Sequence, residues 1–388
     1  MFAALLFLLA AQSAPGVDDQ KVQEAIKKGV AWLRTAPSHG SEKIKIRSAD
    51  ELILLTLLHA GVGADDAKVK ELLGRILGSP LERTYSVSLQ AVCLEELDRV
   101  RYQNRIAQCA QFLIDNQCAN GQWFYGESTP GVAGVAGDEG RPAAPTQAAA
   151  NGKRAKPKVE KKVPVTRTRT GPATGDNSNS AYAALGLRAC FDAGITIPQD
   201  VFVLAVKALR EGQAFKAESK GPTPKGLPSG SAPRGWCYHS PQTHRGYLSM
   251  TAGAVAAMTL YDYMLKKEWK KDAAVNDGLA WLAVNFSVTE NVGPMEWECL
   301  PENELYYGLY AMERAGMLYG TPIFGEHNWY SEGAQRLLAV QNADGSWGEK
   351  PAEKSWSTPT WDTCFAILFL RRATAPLVPS VDRYIAPK

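Results

Sequence analysis

Two kinds of apolar segment alternate along the chain. In residues 22–33, 67–77, 105–114, 201–209, 274–284 and 333–340, apolar positions recur at three- and four-residue intervals with polar residues between them. That spacing predicts amphipathic α-helices, each with one buried face. Paired with each is a segment apolar around most of its circumference, at 51–62, 85–97, 181–187, 250–258, 305–312 and 364–370. A helix of that kind must be enclosed by others. Six pairs with the enclosed helices inside leave no apolar face unpartnered if they close into a ring. The fold class expected is therefore all-α, an α/α toroid of about six helix pairs over residues 20–373; an open solenoid would stack the same pairs.

A short motif recurs at the ends of two amphipathic segments. Residues 117–123 (QCANGQW) and 341–347 (QNADGSW) share the pattern Q-x-x-x-G-x-W. The glycines, Gly121 and Gly345, suit a left-handed turn after a helix, and Trp123 and Trp347 can then fold back over apolar surface between neighbouring helices.

Composition narrows the class without changing this picture. With 45% hydrophobic residues, 21% charged residues and a net charge of +3, the 388-residue chain can bury a large core and lacks the basic excess of a dedicated nucleic-acid binder. Its long apolar run lies at 1–11 and ends in small residues, with Ala11 and Ser13 placed as a signal-peptidase site needs them; the stretch 1–13 reads as a secretory signal peptide, although it carries no Lys or Arg, the alternative being a buried first helix. The expected location is therefore exported, periplasmic or extracellular, with no transmembrane segment after signal removal. Of the seven cysteines (93, 109, 118, 190, 237, 299, 364), Cys93, Cys109, Cys190 and Cys364 sit in apolar helical patterns, as small core residues do, and no bridge is assigned.

Two insertions interrupt the repeat. Residues 126–175 hold no aromatic side chain and are rich in Pro, Ala, Gly, Thr and Lys, so they are expected to be disordered, their basic half (Lys153, Arg154, Lys156, Lys158, Lys161, Lys162, Arg167, Arg169) forming a solvated linker. Residues 216–234 are Pro-, Gly- and Ser-rich and read as a rim loop before Trp236, and residues 374–388 form a tail.

With the repeated turn and six helix pairs, the chain resembles the α/α-toroid superfamily of terpenoid cyclases and protein prenyltransferase β subunits. It is most similar to exported bacterial proteins carrying prenyltransferase/squalene-oxidase repeats, at 246–251 (GYLSMT), 328–330 (NWY) and 362–365 (DTCF). The resemblance implies the toroid, and its repeats say little about chemistry. A squalene-cyclase-like enzyme would protonate an alkene from a D-x-D-D motif, which this chain lacks; Asp18-Asp19 and Asp65-Asp66 precede outer helices and read as caps. A prenyltransferase-like enzyme would hold zinc with an Asp-x-Cys pair and a later histidine. Asp362 and Cys364 have that spacing, but the last histidine is His327, so zinc would need His239 or His244 to reach across the ring.

Paired carboxylates could act as acid and base in a glycan-active (α/α) barrel; Asp176, Glu296, Glu298, Glu302, Glu304 and Asp362 stand near the starts of enclosed helices, where caps and rim charges serve equally well. Of these, Asp362, Glu298, Glu304 and Asp176 are the catalytic candidates. The aromatic residues Trp236, Tyr238, Tyr247, Trp297, Tyr306, Tyr307 and Trp361 cluster at the same ends, and with His239 they are expected either to line an apolar cavity or to pack rim loops onto the ring. His59 lies in a nearly all-apolar helix and reads as a core histidine. The reading that results is an exported, non-catalytic binding or interaction module with a central cavity and no cofactor, taking an unidentified protein or an apolar small molecule and no nucleic acid. The alternative is a terpenoid-cyclase- or prenyltransferase-like enzyme acting on an isoprenoid.

Overall fold

The computed structural model describes residues 16–41, 46–135, 156–217, 221–239, 246–293, 304–348 and 357–377. The signal segment 1–13, Glu296, Trp297, Glu298, Cys299, Glu302, His244, residues 136–155 of the first insertion and most of the tail lie outside them.

Twelve α-helices fill the described residues, alternating outer and inner along the chain. The outer helices are α1 (Asp19–Leu33), α3 (Ala67–Gly78), α5 (Gln103–Asp115), α7 (Gln199–Gly212), α9 (Ala273–Val284) and α11 (Trp329–Ala339). The inner helices are α2 (Asp50–His59), α4 (Thr84–Asp98), α6 (Asn177–Asp192), α8 (Leu248–Met264), α10 (Leu305–Tyr319) and α12 (Pro359–Arg371). The inner helices pack in the order α2, α4, α6, α8, α10, α12, and α12 returns to α2, so the ring is closed and the fold is an all-α toroid. The α8 helix is buried from Leu248 through Asp262, as enclosure requires, whereas α3 buries only Val69, Leu72 and Ile76.

Local sequence sets the helix starts. Asp18, Asp66 and Asp272 accept the second and third backbone amides of α1, α3 and α9, and Asn328 does the same for the Ser331 amide of α11. The cap reading of Asp18 and Asp66 therefore holds. His59 ends α2 half-buried, and its carbonyl accepts the Arg371 Nε at 2.7 Å where the ring closes.

The repeated turn is a clasp, and the structure contains a third copy. Gln117 Nε2 donates to the carbonyls of Gly121 (3.0 Å) and of Val201 on the next outer helix (2.9 Å). Gln341 Nε2 makes the equivalent bonds to Gly345 and to Ala25 on α1, both at 2.9 Å. Gln213 Nε2 repeats the pattern with Arg234 (3.0 Å) and Ala274 on α9 (2.9 Å). In each copy the indole N–H of Trp123, Trp236 or Trp347 donates to the carbonyl of Leu113, Leu209 or Leu337, four residues before the glutamine. The tryptophan amide in turn donates to an inner-helix hydroxyl, Ser180, Thr251 or Thr363. The loop between Gln213 and Trp236 stretches the third copy beyond any fixed sequence spacing.

The first insertion departs from expectation where it is described. Residues 126–135 contain a 3-10 turn (Pro130–Gly134), and residues 156–175 form a strap across the outer face of α5. Within the strap, β1 (Val163–Pro164) pairs in parallel with β2 (Ile195–Thr196), and Val163 and Val165 are buried. Gln111 and Asp115 of α5 bind the strap backbone: Gln111 Nε2 donates to the Thr166 carbonyl at 2.8 Å, and Asp115 accepts the Thr168 amide at 2.7 Å. Arg167 donates to Gln117, Arg169 to Asn116 and Glu127, and Lys156 to Glu95 and Glu96. The expectation of a disordered, solvated linker fails here because the strap needs no core of its own. It uses the polar flank of α5 to satisfy its backbone and its cations.

Candidate functional site

All six inner helices run the same way, so their N-terminal ends meet at one rim. Asp176 caps α6, Tyr247 precedes α8, Glu304 precedes α10, and Trp361 and Asp362 lie in the first turn of α12. Each of these residues stands at the start of its own inner helix. What each side chain does differs from one to the next.

Asp176 accepts the Asn179 amide and the Asn179 side-chain amide, each at 2.7 Å. Burial pushes its carboxyl up to about 6 against those bonds and the pull of nearby His239. Asp362, on the opposite wall, is pushed up to about 7 by burial, relieved in part by the Ser357 hydroxyl, which donates at 2.6 Å. Glu304 is half-buried and accepts the Asn291 side-chain amide at 3.3 Å.

The zinc set is not brought together. Cys364 lies two residues beyond Asp362 on one helix and so points elsewhere. It is buried beside Thr56 of α2, where burial pushes its thiol up to about 12. His239 is exposed on the loop beside Asp176 rather than beside Asp362. Among the described residues no three His, Cys, Asp or Glu side chains form a metal-binding group.

The aromatic candidates divide in the same manner. Trp236 does not line the ring interior: its indole belongs to the third clasp and packs against Gly278 of the outer helix α9. Tyr247 is buried, its amide donating to the Trp236 carbonyl at 3.0 Å. Trp361 is buried, and its indole N–H donates to the His39 carbonyl at 3.3 Å. Half-buried Tyr306 accepts the Gly348 amide at 3.3 Å. Tyr238 is half-buried, its hydroxyl 3.2 Å from that of Tyr125, and burial raises its phenol well above the usual range.

Tyr307 faces into the ring and meets residues that sequence reasoning passed over. Its hydroxyl lies 2.7 Å from the Ser178 hydroxyl, which also bonds the Tyr85 hydroxyl. Ring contacts run from Tyr85 to Tyr182 (4.5 Å), Tyr182 to Tyr307 (6.2 Å), Tyr307 to Phe365 (5.6 Å) and Phe365 to Tyr310 (5.9 Å). Side chains of α6, α10 and α12 thus meet across the centre, with Tyr85 of α4 half-buried at its edge. The expected central cavity is not formed by these residues; a groove of about 370 Å³ lies outside the ring on α7, lined by Val203, Val206, Lys207, Arg210, Glu211 and Lys267. Spacing held the signal for the inward face: Ser178 and Tyr182 are four apart, and Tyr307, Tyr310 and Arg314 stand at intervals of three and four on one helix face.

No family model matches the sequence, and no curated protein matches it. Among solved structures, a possible member of the GH105 family from Salmonella enterica serovar Paratyphi A aligns over 96% of this chain and 98% of its own, with a TM-score of 0.51 and 10% identity. The chain shares its toroid fold. A type II terpene cyclase from Scytonema, in complex with geranylgeranyl dihydroxybenzoate, aligns over 91% of this chain and 97% of its own with a TM-score of 0.49 and 11% identity. The first of these likenesses, at 10% identity, speaks to fold alone and leaves chemistry open. No helix among the described residues is long and apolar enough to cross a membrane.

Proposed function

We propose that the protein is an exported, non-catalytic binding module that engages its partner at the rim where the inner helices begin. The observation that carries this reading is the filled centre. Tyr182, Tyr307, Tyr310 and Phe365 are buried against one another across the ring, whereas Tyr85, Tyr238 and Tyr306 are half-exposed and His239 exposed at the rim. A cyclase needs a chamber that encloses its substrate; a ring packed through its middle offers a shallow aromatic and hydroxyl-bearing face instead. The carboxyls at that face are engaged as a cap (Asp176), by an amide (Glu304) or by a hydroxyl (Asp362). Export rests on residues 1–13, and the kinship with prenyltransferase/squalene-oxidase repeat proteins rests on the clasp and the sequence stretches quoted above.

One observation favours an enzyme instead. Alkene protonation needs a carboxylic acid that stays protonated near neutrality, and Asp362, raised to about 7 by burial at the start of an inner helix, has that character. Native mass spectrometry of the mature protein from its own source tests both readings. A co-purifying protein lost on Tyr238→Ala supports the rim module, and a retained isoprenoid whose turnover stops in Asp362→Asn supports the enzyme.

A further inference from the structure

Three outer helices end in a clasp, and on two of them the residue six places before the clasp glutamine holds a passing stretch of non-helical backbone. On α5 it is Gln111, whose Nε2 donates to the Thr166 carbonyl of the strap at 2.8 Å and whose Oε1 accepts the Thr166 amide at 3.3 Å. On α11 it is Gln335, whose Nε2 donates at 2.8 Å to the carbonyl of Gly16, in the segment that leads into α1. Asp115, two places before the α5 glutamine, accepts the Thr168 amide, two residues further along the strap. Four helical residues and two extended ones each advance about 6 Å, so strap and helix keep step.

On α7 the same two places are Lys207 and Glu211, and both line the groove of about 370 Å³. Lys207 can donate to a carbonyl and Glu211 can accept an amide, as Gln111 and Asp115 do. Val203, 51% exposed, offers an aliphatic seat of the kind that Val163 and Val165 find beneath the strap. The difference is charge. Lys207, Arg210 and Lys267 surround the groove against Glu211, and the connection that supplies Lys267 also exposes Lys266. Two carboxylates behind it, Asp262 and Asp272, are buried, Asp272 holding the Arg210 guanidinium, so the groove turns positive charge to solvent. Lys207 and Glu211 pair only at 3.8 Å, an exposed contact that a ligand can replace.

We infer that this face of α7 docks an extended acidic segment of a partner protein, laid along the helix as the strap lies along α5. A backbone carbonyl sits on Lys207 and an amide two residues later on Glu211. An aliphatic side chain ahead of them sits on Val203, and carboxylates face Arg210 and Lys267. A basic segment such as the strap, with Arg167 and Arg169, would meet like charge there. The surface lies outside the ring and is separate from the rim.

The test uses the full chain and a fluorescein-labelled heptapeptide of strap residues 163–169 with both arginines replaced by glutamate (VPVTETE), followed by fluorescence anisotropy. Saturable binding is expected, at least about tenfold tighter than that of the unaltered strap sequence (VPVTRTR), and about tenfold weaker in Lys207→Glu and in Lys267→Glu. Both lysines are exposed, so the variants are expected to fold as the parent does. Tyr238→Ala is expected to leave this binding unchanged, which separates it from the rim reading. Lack of saturable binding, equal affinity for the two peptides, or lysine variants that bind as the parent does would each overturn the inference. So would binding to phosphatidylglycerol vesicles that depends on Lys207 and is not displaced by VPVTETE, an outcome that assigns the face to a membrane surface instead.

Discussion

Replacing Gln213 by alanine removes one clasp from the outer ring and isolates its contribution. Two bonds are lost: the one to the Arg234 carbonyl inside the turn and the one to the Ala274 carbonyl on α9. Gln213 is 5% exposed, so water reaches these carbonyls poorly. The Ala274 carbonyl keeps its helical partner within α9, so the loss is two neutral bonds at about 1 kcal/mol each, and Gln213→Ala should destabilise by about 2 kcal/mol. Gln117→Ala should cost more, because Gln117 also accepts the Arg167 guanidinium at 2.6 Å and is fully buried. Gln341→Ala should cost least of the three, since Gln341 is half-exposed and solvent can replace it. Equilibrium urea unfolding of the three variants, with the slope checked for constancy, measures the order. If Gln213→Ala costs less than about 0.5 kcal/mol while Gln117→Ala costs several, the third clasp does not bear on stability and the equivalence of the three turns is wrong.

Further outcomes follow from the packing and the charges. A Cβ on Gly278 would stand 2.7 Å from the Trp236 indole and 2.5 Å from Val255, so Gly278→Ala should lower stability by about 1–3 kcal/mol in the same unfolding assay, whereas Gly74→Ala, with nothing near its Cβ, should be neutral or stabilising. Burial raises Asp362 to about 7 in the folded chain; its neutral form is favoured there, so its penalty is absent below the unfolded carboxyl value near 4 and grows as pH rises to about 7. Asp362→Asn should therefore raise the melting temperature at pH 8 and leave it nearly unchanged at pH 4. Asp115 shows the opposite sign: burial pushes its carboxyl up, but the Thr168 amide and the hydroxyls around it bring it below the ordinary range. Its contribution is present above about pH 4 and is lost as pH falls through the lowered value. Asp115→Ala should free the strap, read as faster proteolytic cleavage within residues 156–175 at neutral pH.

The chain's periodicities alone determine its architecture to a considerable depth. Each amphipathic and each enclosed segment named from sequence corresponds to a helix, because the 3.6-residue period and the all-round apolar character are local properties of the chain. The pairing of clasp tryptophans with outer helices was legible in two copies for the same reason. The third was hidden by an inserted loop, which separates Gln213 from Trp236 in sequence without moving them apart in space. That misreading carried into the candidate site, where Trp236 was grouped with inward-facing aromatics although its spatial equivalents are Trp123 and Trp347.

Closure of the ring was decided only by tertiary structure, since α2 and α12 must meet across nearly the whole chain. The strap was decided there too: its composition cannot build a core, but order can be supplied by a partner surface, here the polar flank of α5. The state of the centre depends most of all on three dimensions. Sequence places tyrosines on α4, α6 and α10 and an arginine on α10, but whether such side chains surround a space or fill it depends on ring diameter and side-chain direction, which no local pattern encodes. In this toroid they meet, which moves the candidate site to the rim and leaves Arg314 enclosed.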